Sequence, residues 1–204
     1  MKLIGMLDSP YVRRVAIVMK LLGMEFEHQP VSVFRHFDAF RTINPVVKAP
    51  TLVEDDGRVL MDSTLILDYL LSVKQPGSSM LPTDPVQRFR ANRLIGLALA
   101  ASEKAVQIVY EHNLRPEEKL HQPWVDRVQG QLHAAFDELE RELEAQPFEL
   151  DEKRFGVAGI TVAIAWQFTQ AFVTDVVPPG QYPKLQAFST FAELQPTFVA
   201  TPPI

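Results

Sequence analysis

Four residues, Glu54-Asp55-Asp56-Gly57, lie between two short apolar runs, Ala49 to Val53 and Arg58 to Met61. Apolar runs joined through Asp-Gly are a strong hairpin signal, because these residues tolerate the positive φ of a tight turn. A hairpin here needs further strands to form a sheet, and the preceding segments supply them. Lys2 to Leu7 is a continuous apolar run with Gly5 inside, as expected of a strand buried on both faces. Tyr11 to Leu22 has helical periodicity, with Val12, Val15, Ala16, Met19 and Leu22 on one face and Gly23 as its stop. Phe26 to Val33 reads as a second strand, since parallel pairing needs a helical crossover like the one before it. Phe34 to Ile43 is loop or short helix. Ser63 to Val73 is a helix with Leu65, Ile66, Tyr69 and Leu70 inward. The predicted order is βαβ, a loop, then ββα.

Beyond residue 75 the pattern changes. Pro76, Gly77, Ser78, Ser79, Pro82, Thr83 and Pro85 mark a linker, and no strand signal follows. Val86 to His112 is one long helical pattern. Pro116 to Glu144 is another, restarting at Pro123 because proline is tolerated in a first turn. Phe155 to Val173 and Pro183 to Leu194 are two more. The expected architecture is α/β plus all-α: residues 1–75 a small α/β domain, 76–85 a linker and 86–204 an all-helical domain. Val157 to Val173 is the most apolar stretch, but Gln167, Thr169 and Gln170 interrupt it. It falls short of the about 18 apolar residues of a membrane span and reads as a buried core helix.

Charge and residue usage exclude several functions. A net charge of −5 with no long basic run argues against nucleic acid. Zero cysteines exclude disulfides, thiolate metal sites and a protein-borne redox thiol. The five histidines, His28, His36, His112, His121 and His133, lack metal-ligand spacing, so no metal is expected. Asp8 cuts the first apolar run too short for a signal peptide, and a cytoplasmic location is expected. Glu138, Glu140, Arg141, Glu142 and Glu144 read as a solvated helix face.

Three short motifs remain: Ser9-Pro10-Tyr11-Val12-Arg13-Arg14 opening the first helix, Asn44-Pro45-Val46-Val47-Lys48-Ala49-Pro50 before the third strand, and Asp62-Ser63 opening the third helix. In that order and spacing the chain resembles the soluble glutathione transferases, in particular their serine-type bacterial members. The resemblance covers nearly the whole chain. It implies a thioredoxin-like first domain, glutathione as co-substrate, a small hydrophobic electrophile as second substrate and a homodimer.

The resemblance implies a role for each motif. Ala49-Pro50 matches the family's cis-proline. A cis bond there would turn the Ala49 N–H and C=O outward to pair with an extended peptide, as an added strand does. Asp62 and Ser63 match the site of the γ-glutamyl end, where a helix start takes a carboxylate and an acidic side chain meets an ammonium. Capping alone also explains both residues. Lys48 and Arg35 are candidates for the glycyl carboxylate or the peptide backbone. For Arg35 a solvated surface charge is an equal reading. Tyr11, Phe34, Tyr110, His112, Arg115 and Trp166 are candidates for the electrophile pocket, with core packing an equal reading for Phe34 and Trp166.

Ser9 carries the chemistry in this reading. A free thiol of pKa about 8.5 is only a few per cent ionised at neutral pH. Lowering it by about two units requires about 2.7 kcal/mol. A hydrogen bond to a charged group supplies about 1.5–3 kcal/mol. A helix N-terminus adds about 0.3–1 kcal/mol. Ser9 is therefore expected to donate to the thiolate of glutathione rather than act as a nucleophile, since nothing places a general base beside it. Routine helix capping is the competing reading.

Two positions depart from the family. Valine stands at 47 where glycine is frequent, and Gly156-Val157-Ala158-Gly159 replaces the Ser/Thr-x-x-Asp capping box that usually opens the sixth helix. A weaker helix start, not a lost activity, is expected there. The alternatives to conjugation are a glutathione-dependent peroxidase or thiol reductase, and a non-catalytic binding or regulatory protein of the same fold.

Overall fold

The structure is a computed structural model that describes residues 1–203. Its elements are β1 (Lys2–Ile4), α1 (Pro10–Leu21), β2 (Glu27–Gln29), α2 (Phe37–Ile43), β3 (Thr51–Val53), β4 (Val59–Met61) and α3 (Ser63–Tyr69), then α4 (Pro85–Leu114), α5 (Gln122–Ala145), α6 (Gly156–Phe172), α7 (Pro183–Glu193) and α8 (Pro196–Val199). The thioredoxin-like βαβ-ββα order and the all-helical remainder are as expected. The chain divides into two compact units, Met1–Met80 together with the C-terminal residues from Leu194, and Leu81–Glu193.

In the first unit the strand order is β2-β1-β3-β4. β1 runs parallel to β2, with Leu3 opposite His28, and antiparallel to β3, with Leu3 opposite Leu52. β3 and β4 form the hairpin, closed by Glu54 N–H donating to Arg58 O at 2.9 Å, with Gly57 at φ 85°. The strands are shorter than their apolar runs. β1 stops at Ile4 because Gly5, at φ 137°, turns the chain out of the sheet. Leu3, Ile4 and Leu52 are fully buried with Val12, Val15, Ala16, Met19, Ile66 and Leu70.

Helix α1 is buried well beyond its expected apolar face. Arg13, Arg14, Ile17 and Val18 are as buried as Val12 and Val15. The C-terminal segment explains Arg13. Its Nε donates to Thr201 O at 2.8 Å and its guanidinium lies 5.6 Å from the Phe198 ring centre. Lys20 Nζ adds a bond to Ala200 O at 3.2 Å. The expected all-helical domain of residues 86–204 therefore needs correcting: the residues after α7 pack with the first unit. A four-residue helix with a buried phenylalanine gives too little periodic signal to reveal this.

In the second unit α4 packs with α5 and α6, and α7 with α5 and α6. Phe136, Trp166 and Tyr182 form an aromatic group with ring centres 5.3–5.7 Å apart. Glu140 is buried, and its carboxylate accepts the backbone N–H groups of Lys184 and Leu185 at 2.7 and 3.0 Å. It thus supplies acceptors that the first turn of α7 lacks. A residue expected on a solvated face is in fact a cap. Helix α6 starts without a side-chain cap, as the missing box predicts. Packing substitutes for it: the Phe155 ring meets those of Phe188 and Phe191 at 5.2 and 6.1 Å. No described helix is long and apolar enough to cross a membrane.

Candidate functional site

The site is built where β1 ends. A Cβ on Gly5 would lie 2.6 Å from Val12 Cγ2 and 3.0 Å from Ala49 Cβ. Only glycine lets the strand exit, the first turn of α1 and the Ala49 loop come this close. His28 Nε2 lies 2.8 Å from Gly5 O and ties the exit to β2. Ser9 is the N-cap of α1, at φ −70° and ψ 123°. Its Oγ accepts from Val12 N–H at 3.4 Å, which is long for such a bond. The cap is weak, and no described residue accepts the hydroxyl proton.

The loop from Asn44 to Thr51 is held from below. Asn44 is buried; its amide donates to Thr51 Oγ1 at 2.9 Å and its oxygen accepts Val46 N–H at 3.1 Å. Thr51 Oγ1 donates in turn to Lys48 O at 2.7 Å. The Ala49-Pro50 bond is cis. Ala49 is half-buried, and its N–H and C=O have no partner among the described residues. An extended peptide can be paired there through main-chain bonds alone.

Val47 sits at φ 53°, which is rare for a β-branched residue and costs about 1–3 kcal/mol. This is the position where glycine would be at ease. Val47→Gly is expected to stabilise the protein by about 0.5–1 kcal/mol once the extra unfolded-state freedom of glycine is deducted. That corresponds to a melting temperature about 1–4 °C higher in a chain of this size. A lower melting temperature would count against strain at Val47.

The third motif turns back toward the loop. Asp62, at φ 74°, caps α3 by accepting Thr64 N–H at 2.9 Å. Its Oδ2 lies 3.4 Å from Lys48 Nζ. Partial burial of the Asp62 carboxyl works against ionisation, but the Thr64 N–H and Lys48 outweigh it and hold the group below the usual carboxylate range. Lys48, expected to reach a ligand carboxylate, is paired within the site. Ser63 is buried, and its Oγ accepts from Arg14 Nη1 at 3.0 Å. Arg14 is buried too, and its Nε has no partner. Burial pushes its guanidinium down to about 10, opposed by the negative charge of Asp62 and by Tyr11, so Arg14 stays charged at neutral pH.

The remaining candidates divide between the units. Arg35 is exposed and its charge reaches Asp8. Burial raises the Asp8 carboxyl, while the Ser9 N–H and Arg35 oppose that rise. Phe34 is exposed and Tyr11 half-buried. Tyr110, His112 and Arg115 are exposed at the end of α4, and Arg115 pairs with Glu111 at 2.6 Å. Trp166 is 1% exposed and its indole N–H donates to Gln186 at 3.0 Å. Of its two expected readings, electrophile pocket and core packing, this burial supports core packing. Sequence reasoning missed Gly5, Asn44, Asp8 and Arg14 as parts of the site. Asn44 and Arg14 both lay inside the quoted motifs, but Asn44 drew no role there and Arg13-Arg14 looks like any solvated basic pair. Among the described residues no cluster of His, Asp or Glu could hold a metal ion.

Comparison with known proteins bears on this geometry. The family model described as glutathione S-transferase, N-terminal domain, matches residues 3–78. A YEATS family model matches residues 102–176, which hold no strand here. The chain is 26% identical to an uncharacterized GST-like protein, YibF, of Escherichia coli K12, over 81% of each chain. It is 27% identical to a maleylacetoacetate isomerase of Pseudomonas aeruginosa, over 68% of this chain and 69% of that one. A crystal structure of a glutathione transferase family member from Pseudomonas fluorescens Pf-5, with bound S-(propanoic acid)-glutathione, superimposes with a TM-score of 0.81 at 30% identity, covering 100% of both chains.

Proposed function

Because the chain belongs to the glutathione transferase family, we propose that it binds glutathione in the groove of its first unit and activates the thiol through Ser9. The observation that carries this reading is the meeting of the Ser9 turn and the Ala49 loop at Gly5. Ser9, whose hydroxyl proton no described residue accepts, caps the helix whose first turn meets that loop, and the unpaired main-chain groups of Ala49 can hold a cysteinyl residue. Asp62 and Ser63 then receive the γ-glutamyl end. Arg35 and Lys48 remain candidates for the glycyl carboxylate, with Lys48 exchanging Asp62 for the ligand. The thiolate attacks a small hydrophobic electrophile, with Tyr11 and Phe34 as candidate contacts in the same unit. A homodimer in the cytoplasm is part of the same proposal.

A second reading is favoured by similarity to the maleylacetoacetate isomerase of Pseudomonas aeruginosa. The same thiolate adds to a conjugated double bond and gives an enolate. Rotation about the new single bond and expulsion of the thiolate return the isomerised alkene, with no net consumption of glutathione. Conjugation consumes the thiol, so free-thiol titration over a panel of electrophiles separates the two.

Binding itself is tested by melting the protein with glutathione. At a hundredfold excess over Kd the ligand contributes about 2.7 kcal/mol. That raises the melting temperature by about 5–10 °C. A melting curve unmoved at millimolar glutathione sinks the site and the chemistry together.

A further inference from the structure

Arg14 is a buried cation whose partners are hydroxyl oxygens. Nη1 donates to Ser63 Oγ at 3.0 Å and lies 3.4 Å from Thr64 Oγ1. Arg14 is 2% exposed and its Nε is unpartnered. Leaving a buried guanidinium without a carboxylate is costly, and the arrangement calls for something to offset it. The carboxylate whose charge bears on it, Asp62, is already bonded to Thr64 N–H and Lys48.

The bond to Ser63 fixes a direction. A guanidinium only donates, so Ser63 Oγ has to be the acceptor. One of its lone pairs is then occupied and its proton must point away from Arg14. No described residue accepts that proton. Asp62 and Thr64, on either side of Ser63, are not buried.

We propose that Arg14 is a positioning residue for the γ-glutamyl α-carboxylate: by donating to Ser63 Oγ it forces the Ser63 hydroxyl to donate to that carboxylate, whose charge neutralises the buried guanidinium. Arg14 acts through Ser63 and does not touch the ligand. The inference rests on the reading that Asp62 and Ser63 receive this end of glutathione.

The test compares two ligands by calorimetry: glutathione, and 4-aminobutanoyl-cysteinylglycine, which lacks only the α-carboxylate. The ratio of the two dissociation constants isolates the carboxylate. A hydrogen bond from a neutral donor to a charged group makes that ratio about 10- to 100-fold in the wild type. Arg14→Met, or Arg14→Gln where the first does not fold, is expected to shrink it about tenfold while leaving affinity for the analogue within about threefold. Ser63→Ala is expected to shrink it as much, and the double variant no further, because both act through one hydroxyl. Equal loss for both ligands in the Arg14 variant would make Arg14 merely structural and overturn the inference. Multiplying effects in the double variant would also overturn it. If neither Arg14 variant folds, an unchanged ratio in Ser63→Ala overturns it. Failure of the wild type to bind glutathione at all removes the underlying reading instead, and the inference with it.

Discussion

Ser9→Ala is expected to raise the pKa of the bound thiol by about one to two units, the equivalent of one hydrogen bond to a charged group. The sign follows from which form is stabilised. A donor at Ser9 favours the thiolate, so removing it moves the pKa up toward the free value of about 8.5. Below both pKa values the thiolate population falls about 10- to 100-fold. Each remaining thiolate is more nucleophilic, by about three- to eightfold for a Brønsted slope near 0.45. The net loss in rate at pH 6 is about 3- to 10-fold; it disappears near pH ~8 and, once both thiols are ionised, gives way to a gain of about three- to eightfold in the variant. Ultraviolet titration of the bound thiolate reads the first effect, and the pH profile of kcat/KM reads the second. A profile superimposable on that of the wild type would leave Ser9 as a helix cap. A loss equal at every pH would assign it to orienting the thiol rather than ionising it.

Trp166→Ala is expected to cost about 3–5 kcal/mol of stability, the usual loss on truncating a buried aromatic residue. The indole packs edge-on against Phe136 at 5.3 Å and against Tyr182 at 5.7 Å. Its N–H is matched to Gln186. The substitution leaves a cavity between α5, α6 and the start of α7, and an amide oxygen without its donor. Urea unfolding followed at 222 nm measures the loss. Trp166→Phe should recover most of the packing but not the hydrogen bond, so about 1 kcal/mol of the loss remains. A stable Trp166→Ala protein with an altered KM for electrophiles would return Trp166 to the substrate pocket.

Particular residues show how much was legible beforehand. The order βαβ-ββα followed from local signals: the apolar run after Lys2, the periodicity from Val12 to Met19, and Asp-Gly at 56–57. Each is a short-range pattern, and short-range patterns are what a sequence states directly. The motif residues Ser9, Ala49, Pro50 and Asp62 emerged from spacing and resemblance together. The cis state of Ala49-Pro50 was legible only through the resemblance, since most X–Pro bonds are trans.

What stayed hidden depends on partners distant in the chain. Nothing local says that Arg13 will be covered by Thr201, or that Arg14 will lie beneath Ser63. A basic pair on a helix has the same composition whether it faces water or a neighbouring element, and the cost of burying it appears only once the partners are known. Glu140 shows the same limit, since its acceptor role exists only because the first turn of α7 arrives above it. The sequence by itself determined the elements, their order and the chemical groups available for a thiol site. Tertiary structure alone decided which charges are buried and which way the Ser63 hydroxyl must point. It also decided where the chain's last residues pack. Those outcomes follow from desolvation and hydrogen-bond direction between residues up to 188 positions apart.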